Sequence, residues 1–392
     1  MAAPDEELLG KAEGYPVCPL DDANLGPDRC LVGLFSHFDE VYPARKVARG
    51  GPAHQLARAA AEPAISYDAP DGRRRGLDDF LGNNRTMGLL VLGGDRILVE
   101  RYQYDRTAEQ RFHSQSIAKT VVAMLVGIAL QDGDIRSIDD LARDYVSALA
   151  NSPYGETSLR HLLTMSSGVK YHETYQQGDD NAILTARTYK QQSAGGVDTL
   201  APFAAREREV PAGTRFYYAS SETVTLALAL RAAVGMPLAD YLSAKVWKPM
   251  GAEADASWLI DAAGFEVGFV GLNATLRDYG RLGLLLANEG AAEGRQIVPA
   301  AWVRAMTSAD APHLRYGAAL PVAGYGYQTW LIDPREPYFA LLGIRGQAIF
   351  VDPLTKVVVV FIAAHAALDM ASRREQYALF YGTVRALQSQ NK

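Results

Sequence analysis

The sequence predicts an α+β fold: one antiparallel sheet built from both ends of the chain and flanked by helices, with an all-helical domain inserted between. Strand patterns occur before residue 110 and again after residue 324, and the text from 114 to about 288 is mostly helical. No βαβ unit carries a Gly-rich phosphate fingerprint, so a doubly wound parallel sheet is not expected. With 392 residues, 48% of them hydrophobic and 21% charged, the chain can bury a large core.

Residues 1–62 are rich in Pro, Gly and Ala and lack sustained periodicity, which predicts an irregular extension wrapped over the surface. A hairpin follows, with apolar runs at 87–92 and 96–102 joined by Gly93-Gly94-Asp95. Helical text then runs between the stop signals Gly133, Gly168, Gly235, Gly251 and Gly290. Strands return at 325–332, 338–342, 347–351 and 357–362, and an amphipathic helix closes the chain at 370–387. The sheet domain is thus expected over 63–120 and 290–392, and the helical domain over 121–289.

A net charge of −6 with mixed signs gives no basic field, so nucleic acid is not an expected partner. The longest apolar stretch, 121–130, is far shorter than the roughly 20 residues of a membrane span. The first residues, MAAPDEELLGK, have neither the basic start nor the apolar core of a secretory signal. Localisation is periplasmic or secreted if a leader was removed, and cytoplasmic otherwise. Cys18 and Cys30 both lie in loop-like text; they either bridge, which would point to export, or never meet. The seven histidines are scattered, with no i,i+4 pair, so neither a metal nor any other cofactor is expected. Gly-x-Ser-x-Gly is absent, which argues against a nucleophile-elbow hydrolase. His113, three residues before Ser116, has no evident aspartate to orient it as a base.

Ser-x-x-Lys occurs twice, at Ser116/Lys119 and at Ser167/Lys170. Only the first opens into an apolar helix, so that serine and lysine share a face of its first turn. A serine hydroxyl attacks once a base takes its proton, and a lysine serves as that base when burial or nearby positive potential lowers its pKa. The alternative is a Ser/Thr-rich helix start with a lysine reaching to solvent. Tyr218, in the loop before a helix at 223–234, is the second candidate, as phenolate or relay with its pKa lowered by the neighbouring lysine; the alternative is packing. The third is the Gly-punctuated strand end Gly343-Ile344-Arg345-Gly346-Gln347, whose edge can offer an N–H to a developing oxyanion.

These three elements, in this order and about 100 residues apart, resemble the serine β-lactamase and D,D-peptidase superfamily, in its class C and esterase branch. The resemblance covers about 80–390. Within that branch the chain most resembles 6-aminohexanoate-dimer hydrolases, the nylon-oligomer amidases, and their carboxylesterase relatives. Gly343-Ile344-Arg345-Gly346-Gln347 with Asp352-Pro353 is similar to their Gly-Ile-His-Gly-Gln and Asp-Pro, and Phe216-x-Tyr218 to their Phe-x-Tyr. The resemblance implies a β-lactamase-like fold and an acyl-enzyme on Ser116, with Lys119 and Tyr218 sharing the proton work. It implies an oxyanion hole at the N–H groups of Ser116 and Ile344, and substrate contacts from Tyr175, Gly343, Arg345 and Ser220.

Two departures stand out. Ser220 replaces the family's asparagine, and Leu341-Leu342-Gly343 replaces Lys-Thr-Gly, so the cation that grips a β-lactam carboxylate is missing. Arg345 either restores a positive charge at the pocket or is an exposed strand-end arginine. The expected partner is a small ester or amide. A D,D-peptidase or transacylase, and a non-catalytic binding descendant, are the alternatives. Ester versus amide preference and assembly, including a homodimer, stay open.

Overall fold

The structure is a computed structural model that describes residues 3–20, 26–366 and 368–390. Its centre is an eight-stranded sheet in the order Gly324–Tyr325, Trp330–Leu331, Phe339–Leu342, Ala348–Asp352, Val357–Ala363, Thr86–Gly93, Arg96–Tyr102, Ala57–Arg58. All neighbours are antiparallel except the last pair. The two ends of the chain meet where Val357–Ala363 pairs with Thr86–Gly93, with Val359 opposite Val91.

Strand alternation explains the unbroken apolar runs. Val358, Val360 and Ile362 point into one core, and Val357, Val359 and Phe361 into a second core on the opposite face. The helix Leu276–Ala287 covers the first face, and the C-terminal helix Met370–Gln390 packs Leu379, Phe380 and Val384 into the second. A Cβ on Gly283 would come within 2.5 Å of Val358 Cγ1, so this glycine sets how closely the first helix approaches the sheet.

Within 121–289 the chain is mostly helical, yet it also contributes the strands Ala256–Leu259 and Leu272–Ala274. These join Ala44–Val47 and Phe112–His113 in a four-stranded sheet. The helix Leu276–Ala287 likewise packs with the large sheet.

Two sequence expectations are corrected and one open alternative is decided. The first 62 residues are more than a surface wrap: the helix Leu31–Ser36 is wholly buried, and Ala44–Val47 and Ala57–Arg58 pair into the two sheets. These elements are too short to show periodicity, and the partners of Ala44–Val47 lie some two hundred residues away. Cys18 and Cys30 do meet, forming a disulfide with Cα atoms 5.6 Å apart. The strand expected over 325–332 is a tight hairpin, with Tyr325 opposite Trp330. Its turn carries Gln328 at φ 51°, whose amide donates to Leu162 O and accepts from Thr223 Oγ1. Among the described residues no single helix is long and apolar enough to cross a membrane.

Candidate active site

The 16-residue helix Ile117–Asp132 is apolar all round because it runs through the core, and it ends at Gly133 with φ 83°. Its start is pinned. His113 pairs with Asn273 in the small sheet, and Ser114 N–H donates to Leu272 O. Gln115 then takes a left-handed φ of 48° and turns the chain so that Ser116 caps the helix.

Lys119, only 1% exposed, donates from Nζ to Ser116 Oγ at 2.8 Å and to Phe269 O at 3.1 Å. Burial pushes its pKa down to about 8, against the carboxylate of Glu173, which pulls the other way. The ammonium also lies 4.9 Å from the centroid of the Tyr218 ring.

Tyr218 lies beside the Ser116 side chain, the one influence that draws its pKa down, and Trp330 stacks on its ring at 5.4 Å. The expectation that Lys119 lowers the phenol toward working pH is corrected. Burial first, and the Glu173 carboxylate second, push the Tyr218 pKa well up, so the hydroxyl keeps its proton.

Gly343 and Ile344 border the same cleft as Ser116. A Cβ on Gly343 would lie 2.7 Å from Gln115 Cβ and 2.8 Å from Ser114 O, so only glycine lets this strand end lie against the nucleophile segment. Arg373 of the C-terminal helix fixes the turn, donating to Gly343 O at 2.5 Å and to Gln347 O at 3.3 Å, while Gln376 Nε2 donates to Gly346 O at 2.9 Å.

Glu173 is the site residue that sequence reasoning missed. Its carboxylate accepts from Ser220 N–H at 2.7 Å, Ser220 Oγ at 2.9 Å and the Tyr175 hydroxyl at 3.0 Å. Burial raises its pKa, and Lys119 is the main opposing influence. Ser220, at the first turn of the helix Ser220–Val234, thus holds an acid. Tyr175 borders the cleft at a left-handed φ of 59°. Arg345 is not an exposed strand end: it is 6% exposed, with φ 60°, and donates to His365 O at 3.4 Å.

The second Ser-x-x-Lys serves the scaffold. Ser167 Oγ donates to buried Glu222 at 2.6 Å, while Lys170 pairs with Glu207 at the surface. His113 is buried, stacked on Phe38 at 3.9 Å and 3.0 Å from Asn273 Oδ1. Asn273 donates its amide to Ser257 Oγ and Gly271 O, so its oxygen faces the ring and His113 carries its proton on Nδ1.

Fold and site together define a hydrolase of the serine β-lactamase and penicillin-binding-protein superfamily. The chain belongs to the Beta-lactamase family, whose sequence profile matches residues 74–381. It is 26% identical over 336 residues to the 6-aminohexanoate-dimer hydrolase of Paenarthrobacter ureafaciens, covering 84% of each chain. A Bacillus anthracis structure assigned as a 6-aminohexanoate-dimer hydrolase superposes with a TM-score of 0.82 at 23% identity, over 92% of this chain and 95% of that one. EstCE1, a hydrolase with promiscuous acyltransferase activity, superposes with a TM-score of 0.63 at 16% identity, over 78% and 95%. At these identities the two structures show the fold alone.

Proposed function

We propose that this protein hydrolyses a linear ester or amide through an acyl-enzyme on Ser116, as a carboxylesterase or an amidase of the 6-aminohexanoate-oligomer kind. The observation that carries the reading is the 2.8 Å contact between Ser116 Oγ and a buried lysine whose pKa has fallen to about 8. Neutral Lys119 takes the hydroxyl proton as Oγ bonds to the substrate carbonyl carbon. The oxyanion is held by the N–H groups of Ser116 and Ile344. As the intermediate collapses, the C–O or C–N bond breaks. The leaving atom collects a proton from the Tyr218 hydroxyl, which is resupplied by the Lys119 ammonium. Water then adds to the acyl carbon by the same proton route, releasing the acid and restoring Ser116. The steps need no cofactor.

Leu341 is buried in the core where a β-lactamase has its lysine, so efficient β-lactam turnover is not expected. The relative's name, a hydrolase of a 6-aminohexanoate dimer, favours a linear amide among the substrates to be tried. The test is hydrolysis of p-nitrophenyl acyl esters, linear amides and nitrocefin by the wild type and Ser116→Ala. Ester or amide turnover abolished by the substitution supports the reading. Turnover retained in the variant, or none from either protein, counts against it.

A further inference from the structure

Ser116 lies where two arms of one cleft meet, and the arms differ in size. One is a pocket of about 60 Å³ bordered by Glu173, Asp179 and Asn181 and by Phe35, Phe269 and Val270. The other is an open groove of about 550 Å³ that runs from Ser116 over Trp330, Ile332 and Leu342 to Leu320, Val322 and Leu368. Val322 is 60% exposed and Leu368 54% exposed. Scattered surface apolar residues need no explanation, but a continuous apolar lining that leads to a nucleophile does. Of the arginines that border the groove, Arg373 is turned to the carbonyls of Gly343 and Gln347 and to Gln376.

Tyr218 tells the arms apart. It borders the groove and is not among the residues bordering the small pocket. The atom that leaves the carbonyl carbon must collect its proton from the Tyr218 hydroxyl, so whatever is attached to that atom extends on the Tyr218 side. The acyl part then turns toward the small pocket. Resting on the acyl-transfer reading above, we propose that the substrates are esters or amides of a short acyl group with an alcohol or amine that carries an extended apolar chain or ring. The apolar part lies in the groove and desolvates Trp330, Leu342, Val322 and Leu368 as it binds.

The test compares two ester series on the full chain by pH-stat: acetates of ethanol, butanol, hexanol and octanol, and ethyl esters of acetic, butanoic, hexanoic and octanoic acids. The proposal predicts that kcat/KM rises along the alcohol series, by up to roughly fourfold per added methylene. Along the acyl series it stays flat or falls. Val322→Asp and Leu368→Asp change exposed side chains, so thermal melting is the check on folding; both are expected to lower the octyl-to-ethyl ratio of kcat/KM. A flat alcohol series, a rise along the acyl series instead, or an unchanged ratio in both folded variants overturns the groove assignment. No hydrolysis of any ester, with no fluorophosphonate label on Ser116, overturns the acyl-transfer reading itself, an outcome distinct from a flat series on an active enzyme.

Discussion

Ser220 gives both its backbone N–H and its hydroxyl to the carboxylate of Glu173, at 2.7 and 2.9 Å. The helix N-terminus that begins there therefore holds a negative charge close enough to Lys119 to oppose the effect of burial on the lysine. Free-base Lys119 is the form that accepts the Ser116 proton, so kcat/KM is expected to rise with pH along a limb near pH 8. Glu173→Gln removes the charge that favours the ammonium, which lowers the Lys119 pKa and moves the limb to lower pH. A pH–rate profile of the two proteins checks this, and a limb that stays or moves upward contradicts it.

Tyr218→Phe keeps the ring that stacks on Trp330 and removes the hydroxyl that meets Ser116. Turnover of ethyl acetate, whose leaving oxygen needs that proton, is expected to fall about 10²- to 10⁴-fold, the usual range for losing a positioned proton donor or acceptor, and that of p-nitrophenyl acetate, whose leaving group departs unprotonated, much less. Melting temperature is expected to change little. Steady-state kinetics beside a thermal melt separates this from simple unfolding.

Arg373 acts through the turn it grips. Arg373→Met removes the donors to Gly343 O and Gln347 O and loosens the segment that carries the Ile344 N–H. The expected result is a loss of roughly 10- to 100-fold, concentrated in kcat with KM nearly unchanged, because the displaced N–H matters most once the oxyanion forms. An equal loss in binding and turnover would point to general disorder of the cleft.

Two buried histidines give the fold an acid limit. Burial pushes His113 down to about 4 and His365 to about 3. Both are neutral in the folded chain while the unfolded chain protonates near pH 6.5. The unfolded state thus binds more protons below that value, and each histidine costs about 1.4 kcal/mol of stability per pH unit until its folded pKa is reached. Buried Glu222, pushed up to about 8, contributes a slope of the opposite sign, so the histidine effect is read as a difference between proteins. Between about pH 6.5 and pH 4 the melting temperature of His113→Asn is expected to change by less in the downward direction than that of the wild type.

What the sequence displayed was local. Ser116 and Lys119 sit three residues apart at the head of an apolar run, so their contact follows from helical geometry alone. The hairpin at 86–102 and the strands at 339–363 announce themselves by apolar runs between turns. Glu173 is invisible by the same logic: it lies in a loop, and its partner Ser220 is 47 residues further on. The strands Ala44–Val47 and Ala57–Arg58 are too short to show a period and gain their shape from distant partners. The turn at Gln328 stays hidden because its left-handed backbone depends on buried partners at Leu162 and Thr223. The proximity of Lys119 to Tyr218 is legible in the sequence, but the upward shift of the phenol is not, because it comes from burial and from the Glu173 carboxylate.

The central claim is that Ser116 becomes acylated, and an adduct mapped by mass spectrometry tests it most directly. Wild type and Ser116→Ala are incubated with p-nitrophenyl acetate, quenched in acid within the first turnovers, and digested. The account predicts an acetyl group on the peptide containing Ser116, located at that residue, in the wild type only. An acetyl group on any other residue at equal occupancy in both proteins, or turnover with no adduct on Ser116 under a fluorophosphonate probe, would contradict it.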